Sequence, residues 1–114
     1  MGPAAVKMTV RWSVPLGEAR GVTEVLHRIM VEARQQRGCL GCTVVTDAGQ
    51  QVGVRYVEEW ASEDWLQQEL RSERFSSLAS LMETSSEPPV VEFAVPGGTL
   101  GLEYVEQVRA RWAR

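Results

Sequence analysis

Tyr56, Glu58 and Trp60 place a phenol, a carboxyl group and an indole at alternate positions, so in an extended chain all three face the same way. Burial on such a face would raise the pKa of Glu58 towards that of a general base. The Tyr56 phenol would orient or deprotonate a substrate hydroxyl. Plainer readings compete: a buried tyrosine satisfying a neighbour, and a Glu58 in solvent or paired with Arg55 or Arg74. Trp12, in another alternating run, offers a second indole. Each indole either walls a pocket or fills the core.

Cys39 and Cys42 form a Cys-x-x-Cys, which in isolation suggests a redox pair or half a zinc site. With His27 as the only histidine, one subunit cannot close a four-ligand zinc site from cysteine and histidine. The pair follows a helix instead of opening one, so no helix dipole lowers a thiol pKa, and structural thiols are expected. His27 lies off the centre of an apolar helical stripe and reads as a boundary or surface residue. Arg109, Arg111 and Arg114 cluster near Trp112 as a solvated tail or a contact for an anion or a second subunit.

The elements that must position these groups follow from periodicity. Val6 to Val14 alternates as a strand. After Pro15 and Gly17, Val22, Val25, Leu26, Ile29, Met30 and Ala33 form the stripe of a helix ending at Gly38. Cys42 to Asp47 and Val52 to Trp60 make a hairpin. Ser62 and Ser72 are helix caps, which predicts two short helices with a bend near Arg71. Pro88 and Pro89 end them, and Val90 to Val95 is a fourth strand, stopped by Pro96-Gly97-Gly98. Leu102, Val105, Val108 and Trp112 have helical spacing in a tail that would also suit an edge strand. The order β-α-β-β-α-β is the ferredoxin-like α+β arrangement.

The 114 residues, 44% hydrophobic and 24% charged, suit one domain over 1–114, with its core in 6–95 and a tail in 96–114. A net charge of −3 argues against nucleic acid as the partner. No run approaches the roughly 18 to 20 apolar residues of a membrane span, and no leader is visible, so a soluble, cytoplasmic protein is expected.

The runs Glu32 to Cys42 (with Gly38-Cys39-Leu40), Glu58-Glu59-Trp60 and Ser72-Glu73-Arg74-Phe75 resemble the antibiotic biosynthesis monooxygenase (ABM) domain of the dimeric α+β barrel superfamily. The resemblance covers about residues 6 to 95. It implies oxygenation of an aromatic or quinol-like molecule by O2 without flavin, haem or metal cofactor. It further implies a homodimer and a ring-lined pocket between sheet and helices, with Glu58 and Tyr56 as catalytic residues and Trp12, Trp60, Glu69, Arg74 and Phe75 about the substrate. Glu69 and Arg74 stand where family members often carry His, and the chain has no Asn. Both departures count against a haem-degrading relative. Glu69 is left as a substitute base or a surface charge. The apolar residues on the outer sheet face, among them Val45, Val57 and Ala94, also predict pairing of two copies. The alternative function is a non-catalytic dimer that binds a small molecule.

Overall fold

A computed structural model describes residues 4–112. The elements are β1 (Val6–Val14), α1 (Leu16–Arg34), β2 (Cys39–Asp47), β3 (Val52–Trp60), α2 (Glu63–Leu70), α3 (Glu73–Met82), β4 (Val90–Val95), β5 (Gly98–Leu100) and α4 (Glu103–Trp112). The strands form one antiparallel sheet in the order β2-β3-β1-β4-β5. Its first four strands have the ferredoxin-like order, which the β-α-β-β-α-β reading anticipates.

One face of the sheet is covered. Val6, Met8, Val10, Trp12 and Val14 of β1, Tyr56, Glu58 and Trp60 of β3, and Phe93 of β4 are all buried there, against Leu26 and Ile29 of α1, Leu66 and Leu70 of α2, and Phe75 and Leu78 of α3. The other face carries Lys7, Arg11, Thr43, Val45, Arg55, Glu59, Glu92 and Ala94, all exposed. Period-two alternation in the central strands produces this division.

Both serine caps form. The Ser62 hydroxyl accepts from the Trp65 amide at 3.4 Å, and the Ser72 hydroxyl from the Phe75 amide at 3.2 Å. Each satisfies one of the amides that a helix start leaves without an intrahelical partner, so α2 and α3 are separate helices meeting at Arg71 and Ser72.

Three local expectations change. α1 ends at Arg34, four residues before Gly38, and residues 35–38 form turns. β2 starts at Cys39, because a bulge between Cys39 and Gly41 absorbs Leu40 and keeps Cys39 opposite Trp60 and Cys42 opposite Glu58. Pro96-Gly97-Gly98 does not end the sheet. Gly97 and Gly98 take φ of +99° and +145°, which glycine adopts without a Cβ penalty, and the chain turns back into β5.

The tail is a helix. Tyr104 of α4 packs on Phe93 with ring centroids 5.1 Å apart, and its hydroxyl accepts from Gln67 Nε2 at 3.2 Å. Arg109 donates to the Leu70 carbonyl at 2.8 Å, and Arg111 to Gln67 Oε1 at 3.0 Å. These two cations of the late cluster therefore tie α4 to α2; Arg114 lies outside the described residues.

Candidate active site

Glu58 is 1% exposed and held from two sides. The Tyr56 hydroxyl donates to its Oε2 at 2.5 Å and the Trp60 indole to its Oε1 at 3.0 Å. The alternation seen in the sequence thus becomes a connected group on the covered face. Burial, and next the charge of Glu69, push the Glu58 carboxyl up to about 8, while the bonds from Tyr56 and Trp60 pull the other way. Glu58 and Glu69 are themselves hydrogen bonded.

Glu69 ends this chain at the surface side. It lies in the last turn of α2, 3% exposed, and Arg74 in the first turn of α3 grips it with Nε to Oε2 at 3.0 Å and Nη2 to Oε1 at 2.5 Å. The bend between α2 and α3 brings the two residues together across the helix boundary. Hydrogen bonding to Glu69 raises the Arg74 pKa. The surface-charge reading of Glu69 gives way to a buried, forked ion pair.

Across the sheet from Glu58 lies Cys42 of β2, whose thiol is pushed up to about 12, chiefly by burial. The Tyr56 hydroxyl donates its hydrogen bond to Glu58, and burial, and next the charge of Glu58, raise the Tyr56 pKa. Cys39 is half-buried, and burial raises its pKa too. Neither thiol is primed as a nucleophile. Among the described residues no group of three or more His, Cys, Asp and Glu side chains is placed to hold a metal ion.

A cleft of about 240 Å³ opens beside this network, lined by Gln36, Arg37, Trp60, Trp65, Gln68, Glu69, Ser72 and Arg74. Its shape depends on Gly38, which has a φ of +87° and lies so close under the Trp65 ring that a Cβ would fall 2.4 Å from Cγ of the indole. Only glycine serves both requirements.

The cleft gathers Trp60, Glu69 and Arg74 from the expected site. Tyr56 (0% exposed) and Glu58 lie behind its wall. Phe75 is core, beneath the Arg109 guanidinium at 5.4 Å. Trp12 is not the opposite wall. It pairs with Val54 whereas Trp60 pairs with Val6, so six residues of β3 put the indoles about 20 Å apart. Trp12 borders another groove, of about 610 Å³, with Arg11, Ser13, Gly53, Arg55 and Val90. His27 is exposed. Trp65, Arg37 and Gln68 also line the cleft and carry no signal for it in the sequence; the Ser62 cap makes Trp65 helical without showing that it faces Gly38.

Topology and site together define a ferredoxin-like α+β sandwich with a small aromatic cleft and two buried carboxyl groups at one end of its sheet. The chain belongs to the antibiotic biosynthesis monooxygenase family, whose sequence model matches residues 5–80. The fold is also that of a conserved protein from Methanosarcina mazei (18% identity, TM-score 0.71, 81% of this chain and 92% of that one). Rv0793 from Mycobacterium tuberculosis shares it (17%, 0.70, 82% and 95%), as does a protein described as an antibiotic biosynthesis monooxygenase (20%, 0.67, 80% and 99%). No curated protein matches the sequence. Among the described residues, no helix is long and apolar enough to cross a membrane.

Proposed function

We propose that the protein is a homodimeric monooxygenase that oxygenates a small aromatic quinol or phenol with O2 and without flavin, haem or metal. One observation carries this reading: the hydrogen-bonded chain from Tyr56 through Glu58 to the Glu69–Arg74 pair reaches a cleft that also holds Trp60 and Trp65. At about 240 Å³ the cleft is below the roughly 300 to 1,000 Å³ of most ligand sites, so the guest is a small ring.

The ring lies against the indoles with its hydroxyl towards Glu69. Arg74 spends two of its five donors on Glu69, and the others hold the substrate oxygen. Glu69 accepts the phenolic proton, with Glu58 behind it as the shared proton site. The electron-rich phenolate then reduces O2 itself. Overall, a quinol and O2 give a hydroxyquinone and one water, the substrate supplying all four electrons. Val45, Val57, Val90 and Ala94 give the outer sheet face an apolar share that suits pairing with a second copy. Sedimentation at high micromolar concentration tests this, and a monomer contradicts it.

The catalytic test is oxygen uptake by metal-free protein supplied with simple hydroquinones, with one O2 consumed per hydroxyquinone formed. Glu69→Gln lowers the rate by about 100-fold, the lower end for loss of a positioned acid–base group. Uptake no greater than that of Trp60→Ala and Glu69→Gln controls overturns catalysis. The sealing of Tyr56 and Glu58 behind the wall favours a second reading, a dimer that binds a small ring without turnover. Its signature is a raised Tm with the ligand and no oxygen uptake.

A further inference from the structure

The charges around the cleft are unbalanced against the trend of the whole chain. The protein carries a net charge of −3, yet the cleft brings together Arg37 and Arg74 against the single carboxylate of Glu69. Glu58, behind the wall, adds little negative charge near neutral pH, because it holds its proton up to about pH 8. A second feature has the same sign. α3 begins at this cleft, with Ser72 as its cap and Arg74 in its first turn, and a helix start presents free amides and the positive end of its dipole.

Arg37 is the unspent cation. Arg74 is committed to Glu69, whereas the exposed Arg37 side chain makes no hydrogen bond or ion pair among the described residues. It stands on the rim with Trp65, one residue before Gly38. A ring against Trp60 and Trp65, with its hydroxyl at Glu69, therefore has a free guanidinium at its rim. A guanidinium fork matches a carboxylate in both charge and geometry.

We propose that the cleft selects a hydroxylated aromatic ring bearing a carboxylate, and that Arg37 is the specificity-determining residue that binds the carboxylate. This deepens the functional reading above and rests on its placement of the ring. A neutral quinol fills the same space but leaves the rim cation unused, so the carboxylate adds affinity without altering where oxygen attacks.

Isothermal titration calorimetry with 2,5-dihydroxybenzoate and with hydroquinone tests the proposal, alongside oxygen uptake on both. Wild type binds the dihydroxybenzoate about tenfold more tightly at low salt, as one added charge-assisted contact implies, and the preference shrinks as salt rises. Arg37→Gln brings the two ligands within about twofold of each other by removing that contact, while Tm stays unchanged. Equal affinities in wild type, with hydroquinone still bound and oxygenated, overturn this inference and leave the functional reading standing. A preference that survives Arg37→Gln overturns the assignment to Arg37. Failure of both ligands to bind overturns the inference and the cleft reading together.

Discussion

Trp60 and Trp12 share the covered face of one sheet and are 2% and 5% exposed, yet only Trp60 has a partner for its indole N–H. Two positions along its strand, Trp60 meets Glu58; the corresponding neighbours of Trp12 are Val10 and Val14. At the Trp60 end, the break between α2 and α3 admits Glu69 and Arg74 and leaves a cleft. At the Trp12 end, the indole nitrogen is buried without an acceptor, and the adjoining groove takes its polar groups from the opposite sheet face. Burying an indole is thus not what builds a polar network at an end of this sheet. A carboxyl within reach, with a second charge to tune it, is.

The largest predicted effect is that of pH on the Glu58 end. Below about pH 4.5 this carboxyl is protonated whether the chain is folded or not. Between there and about pH 8 only the folded state holds the proton, so stability falls as pH rises, and above 8 the loss levels off. The fall is on the order of 5 kcal/mol, at about 1.4 kcal/mol per unit. Urea denaturation across this window should show it in wild type and not in Glu58→Gln, whose amide does not titrate there. Parallel curves for the two proteins would remove the electrostatic distinction between the ends.

Next in size is Gly38→Ala. It places a Cβ inside the Trp65 ring at a positive φ, and strain plus overpacking should cost about 3 kcal/mol. Because Trp65 must move, ligand affinity at the cleft should drop while the Trp12 groove is untouched. A Tm equal to that of wild type would show that Trp65 does not depend on the glycine.

A direct comparison of the indoles comes third. Trp60→Phe removes a donor from the buried Glu58 and should cost about 2 kcal/mol. Trp12→Phe loses packing but relieves an unsatisfied donor, and its net cost should stay below about 1 kcal/mol. Similar midpoints in urea for the two variants would break the comparison. The smallest effect belongs to the open sheet face, where Arg11 and Glu92 pair at 3.3 Å, each about half exposed. A double-mutant cycle there should return less than about 1 kcal/mol and should shrink further in high salt. A larger, salt-insensitive coupling would mean that the pair is buried in solution.

Much of the fold was legible because its signals are local. Alternation from Val6 to Val14 and the caps at Ser62 and Ser72 depend on a few consecutive residues, and each formed where expected. β5 was illegible: Gly98–Leu100 is three residues long, wholly exposed and without alternation, and it exists by pairing with β4. Within the site, the common facing of Tyr56, Glu58 and Trp60 could be seen in advance. The burial of Glu69 could not, since its partner Arg74 lies on another helix and α2 alone reads Glu69 as a surface charge.

By itself, then, the amino-acid sequence determined which residues share a face, where helices start and which family the chain resembles, since these follow from spacing along a continuous backbone. Tertiary structure decided which buried indole meets a carboxyl, which glutamate reaches a cleft and what charge Glu58 carries near neutral pH. Those outcomes depend on local dielectric and on charges delivered by distant segments, and residue spacing encodes neither.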